Sequence, residues 1–303
     1  MKSAYVIVNA GSGGGHDDER VRRLTELFAR AGATADIHLA RNGSEIASLA
    51  REALARRPDM VVAGGGDGTV SSVAAVLAGS DVPLGALPLG TLNHFAKDLG
   101  VPLEIEAAIE RIVASQPTRV DVGEVNGRVF INNSSLGLYP DIVHDRERQR
   151  KRLGRGKWPA LVWASLAALR RFSFMSVRLS VDGSQLSRRT PFVFIGNNAY
   201  VMQGFAIGER TAIDRGRLSL YVVQRAGRLR LMQLALRALV GRLDQERDFE
   251  VTHTTEIVVE SRKKRLRVAT DGEITMMTPP LRYRVRPASL LVVGADPART
   301  DAK

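Results

Sequence analysis

Two turns in this chain carry the residue types that phosphate chemistry needs. The first, Gly64-Gly65-Gly66-Asp67-Gly68-Thr69-Val70, follows the apolar run Val61-Val62-Ala63 and sets a carboxylate and a hydroxyl among its glycines. The second, Gly90-Thr91-Leu92-Asn93, follows Leu87-Pro88-Leu89 and repeats the arrangement with Thr91 and Asn93 as its polar residues. Glycine lets backbone N–H groups approach a phosphate chain closely, and turns of this kind cradle anions. Asp67 is placed to hold Mg²⁺ directly or through water; an N-cap is the other use of an aspartate at a strand–helix junction. Thr91 equally suits a helix cap. A third stretch, Asn9-Ala10-Gly11-Ser12-Gly13-Gly14-Gly15, also follows a strand-like run and precedes a helix. It is no Walker A loop, because no Gly-Lys-Ser/Thr follows, and a dinucleotide fingerprint would put its third small residue at His16. An ordinary tight turn accounts for it as well as a nucleotide loop does. The two later exits together point to a nucleotide-using enzyme, specifically a kinase.

The elements that must position these turns alternate over residues 1 to about 120. Ala4-Tyr5-Val6-Ile7-Val8 reads as a strand, and Val21, Leu24, Leu27, Phe28 and Ala31 recur at helical spacing before Gly32. Met60-Val61-Val62-Ala63 and the run from Leu84 to Leu89 are apolar throughout, as strands covered on both faces are. The expected fold class is α/β: an open, mostly parallel nucleotide-binding sheet, with ligands beyond the carboxyl ends of its strands. After Val120 the pattern turns to strands, with hairpin signals at Asn126-Gly127, Asp182-Gly183 and Asp271-Gly272. Helical insertions fall near 158–171, containing Trp158 and Trp163, and near 228–243. The expected domains are 1–125, α/β and nucleotide-binding, and 126–295, β-rich, sandwich-like and substrate-binding, with final strands returning to the first domain. Residues 296–303 read as a tail. The active site is expected where the halves face each other.

Composition narrows the chemistry further. Of 303 residues, 44% are hydrophobic and 25% charged, a globular balance. The chain has no cysteine, which excludes disulfides, zinc–thiolate sites, iron–sulfur clusters and cysteine nucleophiles. No run suits a signal peptide or a transmembrane helix, so the expected location is cytoplasmic, with peripheral contact at the inner membrane surface. A net charge of +12 draws anions, whether nucleotide, nucleic acid or lipid headgroup. The densest basic run, 144–157, suits a solvated loop, a phosphate- or membrane-facing loop or a nucleic-acid contact. It lacks the interleaved aromatics of a base-stacking surface, and no specific nucleic-acid partner is expected.

Further motifs follow in order: Arg119-Val120-Asp121-Val122-Gly123, Asn132-Asn133-Ser134-Ser135-Leu136-Gly137 and Thr270-Asp271-Gly272-Glu273. With the three glycine-rich stretches, they make the chain resemble, nearly end to end, the bacterial branch of the diacylglycerol kinase catalytic-domain family. These lipid kinases also resemble sphingosine and ceramide kinases. The resemblance implies ATP and Mg²⁺ as cofactors in a cleft between the two domains. It assigns ATP binding to Asn9, Ala10, Gly11, Ser12, Gly13, to Gly64 through Val70, and to the second turn with Thr91 and Asn93. It places Asp67 and Asp121 in a water-and-Mg²⁺ network, and it implies that Asp271 and Glu273 include the base that takes the acceptor's proton. Without the resemblance, Asp271-Gly272 is a hairpin turn, and side chains two apart in a strand point to opposite faces. The implied reaction is phosphorylation of a lipid hydroxyl, diacylglycerol giving phosphatidic acid in the first instance. Another lipid, a soluble hydroxyl substrate, or a non-catalytic nucleotide-binding regulator are the alternatives. Three positions depart from the family pattern. His94 stands where an aspartate is common, and Arg41 falls near a usual threonine. Arg215 replaces an aspartate of a structural Mg²⁺ site, which leaves only the neighbouring Asp214 as a ligand there.

Overall fold

The computed structural model describes residues 1–11, 17–137, 175–181, 184–201, 209–210, 212–223 and 249–296. Ser12, Gly13, the basic run 144–157, the helical stretches 158–171 and 228–243 with both tryptophans, the Asp182-Gly183 turn and residues 297–303 lie outside the described residues.

The first half alternates as its apolar pattern dictates: β1 (Lys2–Asn9), α1 (Asp17–Arg30), β2 (Ala33–Ala40), α2 (Gly43–Arg56), β3 (Met60–Gly65), α3 (Asp67–Leu77), β4 (Leu84–Pro88), α4 (His94–Asp98) and α5 (Ile105–Ala114). Helix α1 buries Leu24, Leu27 and Phe28, an i, i+3, i+4 stripe, and opens with Asp17, Asp18 and Glu19 against the positive end of its dipole. Helix α2 starts at Asn42, whose side chain accepts from Glu45 N at 3.0 Å, and stops at Arg57 in the left-handed conformation. Every residue of β3 is buried, as its unbroken apolar run requires. Strands β2, β1, β3 and β4 pair in that order, all parallel.

The second half supplies β5 (Thr118–Val125), β6 (Arg128–Phe130), β7 (Asn133–Gly137), β8 (Met175–Val181), β9 (Ser184–Thr190), β10 (Phe192–Asn197), β11 (Tyr200–Val201), β12 (Glu209–Arg210), β13 (Leu218–Val223), β14 (Phe249–Thr254), β15 (Glu256–Ser261), β16 (Leu266–Thr270), β17 (Glu273–Met277) and β18 (Leu281–Val293). Among the described residues, six strands form a second sheet in the order β14-β13-β10-β7-β16-β17. Leu136, Val193, Leu220 and Val268 of that sheet share a core with Val177, Leu179, Ile257, Val259 and Tyr283 of β8, β15 and β18. The result is a β sandwich beside an α/β domain, and each large aliphatic side chain fully buried in it contributes about 1.5–3 kcal/mol.

Strand β18 joins the two halves. Near its start it pairs antiparallel with β15, and at its end Val292 and Val293 pair parallel with Leu84 and Gly85 of β4. The first sheet is therefore mixed, and it runs without interruption from β2 through β4 and β18 to β9. Strand β18 pairs with β5 on both sides of a bulge between Arg286 and Leu290. Asp121, 3% exposed, holds that bulge. Its Oδ1 accepts from Ala288 N at 3.0 Å, and its Oδ2 accepts from Gly216 N at 2.6 Å and Asn198 Nδ2 at 3.1 Å. Removing the carboxylate strands two backbone donors, so Asp121→Ala is expected to lower stability by about 2–4 kcal/mol in urea unfolding. An unchanged unfolding midpoint would show that the bulge holds without it.

Candidate active site

The carboxyl ends of β1, β3 and β4 meet, and short-range sterics bear on two of the glycines there, Gly65 and Gly90. A Cβ on Gly90 would lie 2.3 Å from Gly66 Cα, so the two exits touch backbone to backbone. A Cβ on Gly65 would lie 2.4 Å from Thr69 Oγ1. Thr69 is buried and accepts from Asn9 Nδ2 at 3.4 Å, while Asn9 Oδ1 accepts from Gly11 N at 3.0 Å. Ala10 N donates to Ala40 O at 2.8 Å, which ties the loop after β1 to the end of β2. Asn93 adopts φ 52° and closes the second turn on itself: Oδ1 accepts from Gly90 N at 3.0 Å, and Nδ2 donates to Gly90 O at 2.9 Å. Thr91 and His94 stand exposed on either side of it.

Asp67 is the first residue of α3, and its carboxylate does not cap that helix. Its Oδ1 accepts from Phe95 N in α4 at 3.2 Å and so cross-links the two exits. Thr69 N and Val70 N both return to Gly66 O, at 2.9 and 3.2 Å. Among the described residues, the N–H groups of Asp67 and Gly68 are left as the donors a helix start offers an anion. The Val70 side chain belongs to the core and can serve a ligand only through its backbone.

The C-terminal hairpin docks on α3 through Ser71. Asp271 (φ 48°) and Gly272 (φ 86°) form a two-residue turn that pairs Thr270 with Glu273. The Asp271 carboxylate is enclosed by four donors. Oδ1 accepts from Asn132 N at 2.8 Å and Asn133 N at 3.0 Å; Oδ2 accepts from Ile131 N at 2.8 Å and from Ser71 Oγ. Ser71 lies one turn into α3, so residues 200 positions apart in the chain meet here. Burial pushes the Asp271 pKa above the ordinary carboxylate value, and Ser71 and the three backbone donors pull it back. Glu273 sits differently. Its side chain is 53% exposed, and Oε2 accepts from Arg128 Nη2 at 2.5 Å. Arg128 also donates to Thr275 Oγ1 at 2.7 Å, which fixes the guanidinium across β17. Glu273 lines a cleft of about 350 Å³ with Arg51, Ser71, Ser72 and Arg128, a volume suited to a small ligand.

The structure does not bring every sequence-derived site residue together. Asp67, Asn9, Thr69 and the exit glycines form one cluster, and Asp271 joins it through α3. Asp121 belongs elsewhere: its carboxylate takes up Ala288, Gly216 and Asn198, and none of these lies in a glycine exit. Asp214 lies 4.0 Å from Arg215 Nε, and Arg215 N donates to Asn198 Oδ1 at 3.0 Å. Among the described residues, no three carboxylates or histidines assemble to hold a metal. Mg²⁺ commonly takes only one or two carboxylates and completes its shell with phosphate and water, a pattern that Asp67 alone fits. Arg210 carries no sequence signal, yet it is fully buried beside the site, where it pairs with Asp98 at 2.7 Å and lies over the rings of Phe95 and Tyr200.

Comparison with known proteins covers both halves. Residues 3–125 match the diacylglycerol kinase catalytic domain, and residues 141–294 match the YegS C-terminal NAD kinase beta sandwich-like domain. The chain is 28% identical over 284 residues to the diacylglycerol kinase of Bacillus subtilis strain 168, an alignment spanning 92% of each chain. It is 31% identical over 229 residues to a "Probable lipid kinase YegS-like" of Pseudomonas aeruginosa, spanning 73% of this chain and 72% of that one. The crystal structure of a diacylglycerol kinase from Bacillus anthracis strain Sterne aligns with a TM-score of 0.70, at 20% identity, over 99% of this chain and 98% of that one; the fold is shared.

The contact between Gly66 and Gly90 supplies a direct test of the exits. Gly90→Ala forces the two turns apart, and ADP-Mg²⁺ affinity by calorimetry is expected to fall about tenfold or more, equivalent to ~1.4 kcal/mol. Unchanged affinity in a folded variant would place the nucleotide elsewhere.

Proposed function

Because the chain belongs to the bacterial diacylglycerol kinase catalytic-domain and YegS-like lipid kinase family, we propose that it transfers the γ-phosphoryl group of ATP to a lipid hydroxyl, with diacylglycerol as the first acceptor to test and phosphatidic acid as its product. One observation carries the reading. The hydrogen bond from Ser71 to Asp271 docks the carboxylate-bearing hairpin onto the helix whose first turn is the glycine-rich exit. The hairpin carrying the candidate base is thereby held against the helix that starts at the anion-binding turn, as phosphoryl transfer requires.

The two carboxylates have separable roles in this reading. A carboxylate offers about four lone-pair directions, and Asp271 has four donors on them. Asp271 therefore acts as an anchor. Glu273 uses Oε2 for Arg128 and faces the cleft, which leaves Oε1 to receive the proton of the attacking hydroxyl. As the acceptor oxygen bonds to the γ-phosphorus, the bond to the bridging oxygen breaks, ADP departs and the proton passes to Glu273. Backbone N–H groups of the exits hold the phosphates, and Asp67 would ligate Mg²⁺. That ion, when bound, offsets charge on the phosphate oxygens. Arg51 and Arg128 add positive charge at the cleft wall.

The lipid acceptor and the net charge of +12 also support peripheral contact with an anionic membrane surface, from the cytoplasmic side. Among the described residues, no helix is long and apolar enough to cross a bilayer. Binding to phosphatidylglycerol-containing vesicles is expected in sedimentation and should weaken as salt rises. Equal binding to neutral vesicles would sink the electrostatic part of this reading.

The enzymatic test is transfer of labelled γ-phosphate into a lipid panel in mixed micelles. Wild-type protein is expected to label phosphatidic acid. Glu273→Gln should fold normally and lose about 10²–10⁴ in kcat. Asp271→Asn should lose both stability and activity, because its amide nitrogen would face N–H donors. A different labelled lipid would name another acceptor. ATP binding without transfer to any lipid would favour a soluble substrate or a regulatory role.

A further inference from the structure

Arg210, in β12, belongs to neither glycine exit nor to the Asp271 hairpin, and nothing in the phosphoryl-transfer reading uses it. Its side chain is 0% exposed, and all its donor directions are engaged. Toward the α/β domain, Nε and Nη2 both meet Asp98 Oδ2 at 2.7 Å, at the end of α4, and the guanidinium lies 5.8 Å from the Phe95 ring centroid. Toward the sandwich, Nη1 donates to Ile131 O at 2.6 Å and to Asn197 O at 3.4 Å, and Nη2 donates to Asn132 Oδ1 at 3.0 Å.

The residues it holds are the ones that hold the candidate carboxylates. Phe95 supplies the N–H that binds Asp67, and Ile131 and Asn132 supply two of the N–H groups that bind Asp271. Arg210 is thus one residue removed from both acids, on opposite sides of the site. We propose that Arg210 is a positioning residue that sets the spacing between the Asp67 turn and the Asp271 hairpin, an inference that rests on the kinase reading for its catalytic meaning. A planar guanidinium with five fixed donors can span the two domains in this way, whereas an ammonium on a flexible stem cannot. The buried pair by itself is poor grounds for a stabilising role, because its desolvation offsets much of the attraction. Its geometric effect on two backbone segments is the distinctive consequence.

The test must separate positioning from folding. Arg210→Met alone leaves Asp98 buried without its cation and is expected to destabilise the protein. The double variant Arg210→Met/Asp98→Leu removes both charges, although Ile131 O, Asn197 O and Asn132 Oδ1 lose a donor, and is expected to be less destabilised than Arg210→Met alone. In that variant, amide exchange at Phe95 and at Ile131 to Asn133 should accelerate about tenfold or more. Turnover should fall about tenfold or more, with the loss in kcat, because the exits keep their Gly66–Gly90 contact and hence their hold on ATP. Arg210→Lys, which keeps the charge opposite Asp98, should show the same accelerated exchange and the same loss in kcat, and it serves if the double variant does not fold. Wild-type exchange and kcat in a folded double variant, or in the lysine variant, would overturn the proposal. The exchange measurement needs no substrate. If wild-type protein transfers phosphate to no acceptor while the variants still lose amide protection, the kinase reading fails and the coupling stands; unchanged protection defeats the coupling whatever the activity.

Discussion

The Asp271 carboxylate accepts hydrogen bonds from both halves of the chain, and the form of the site follows from that. Three of its donors are consecutive backbone N–H groups, Ile131 to Asn133, at the entry to β7; the fourth is a hydroxyl on α3. A backbone segment cannot rotate away as a side chain can, so the carboxylate is fixed on one side by the sandwich. The Ser71 contact then fixes α3 to it, and with α3 comes the glycine-rich exit at its N-terminus. Desolvation of a carboxylate is costly unless its lone pairs are used. Here they are used up, which favours a single relative placement of hairpin and helix.

A second constraint, independent of the first, is the continuity of the sheet. Strand β18 runs from the sandwich to the edge of β4, so the two domains share hydrogen bonds instead of meeting only through side chains. The bulge after Arg286, with Ala288 at φ 48°, shifts the register of β18 against β5 between its pairing with β15 and its pairing with β4. Asp121 is the residue that makes the bulge affordable, since it accepts the Ala288 N–H that the irregular ladder would leave unpaired. Its motif position in the sequence says nothing of this, because the partners lie 77, 95 and 167 positions away.

That contrast marks what the sequence made legible. The buried runs of β3 and β4 announce parallel strands, since only strands covered on both faces lack polar alternation, and Asn126-Gly127 announces the β5–β6 hairpin, where both residues adopt positive φ. The crowded glycines of the two exits are legible for a related reason: four glycines within seven residues imply a close approach of something to the backbone. What the sequence could not say is that the nearest approach is between the exits themselves, Gly90 against Gly66. By spacing alone Asp271 reads as a turn residue and only the family resemblance marks it, because its cage consists mostly of backbone groups, which nearly every residue carries. Arg210 is the extreme case. An arginine is ordinarily exposed, and its burial depends on Asp98, on two carbonyl oxygens and on two aromatic rings that only the tertiary fold collects.

The hairpin also explains how two acids separated by one glycine come to be held so differently. In a regular strand Asp271 and Glu273 would point to opposite faces, but the left-handed pair Asp271-Gly272 takes the first acid out of the strand altogether. Asp271 turns back under β7 and is consumed by its donors. Glu273 begins β17 and faces the cleft, tethered by Arg128 through one oxygen only. Had the turn been longer, the anchored acid and the free one would not be held at a fixed offset, and Glu273 would move independently of α3. The two-residue turn makes the position of Glu273 a consequence of the position of Asp271. Rigidity gained by saturating Asp271 is thereby passed through the two-residue turn to Glu273, whose Oε1 keeps no partner from Arg128.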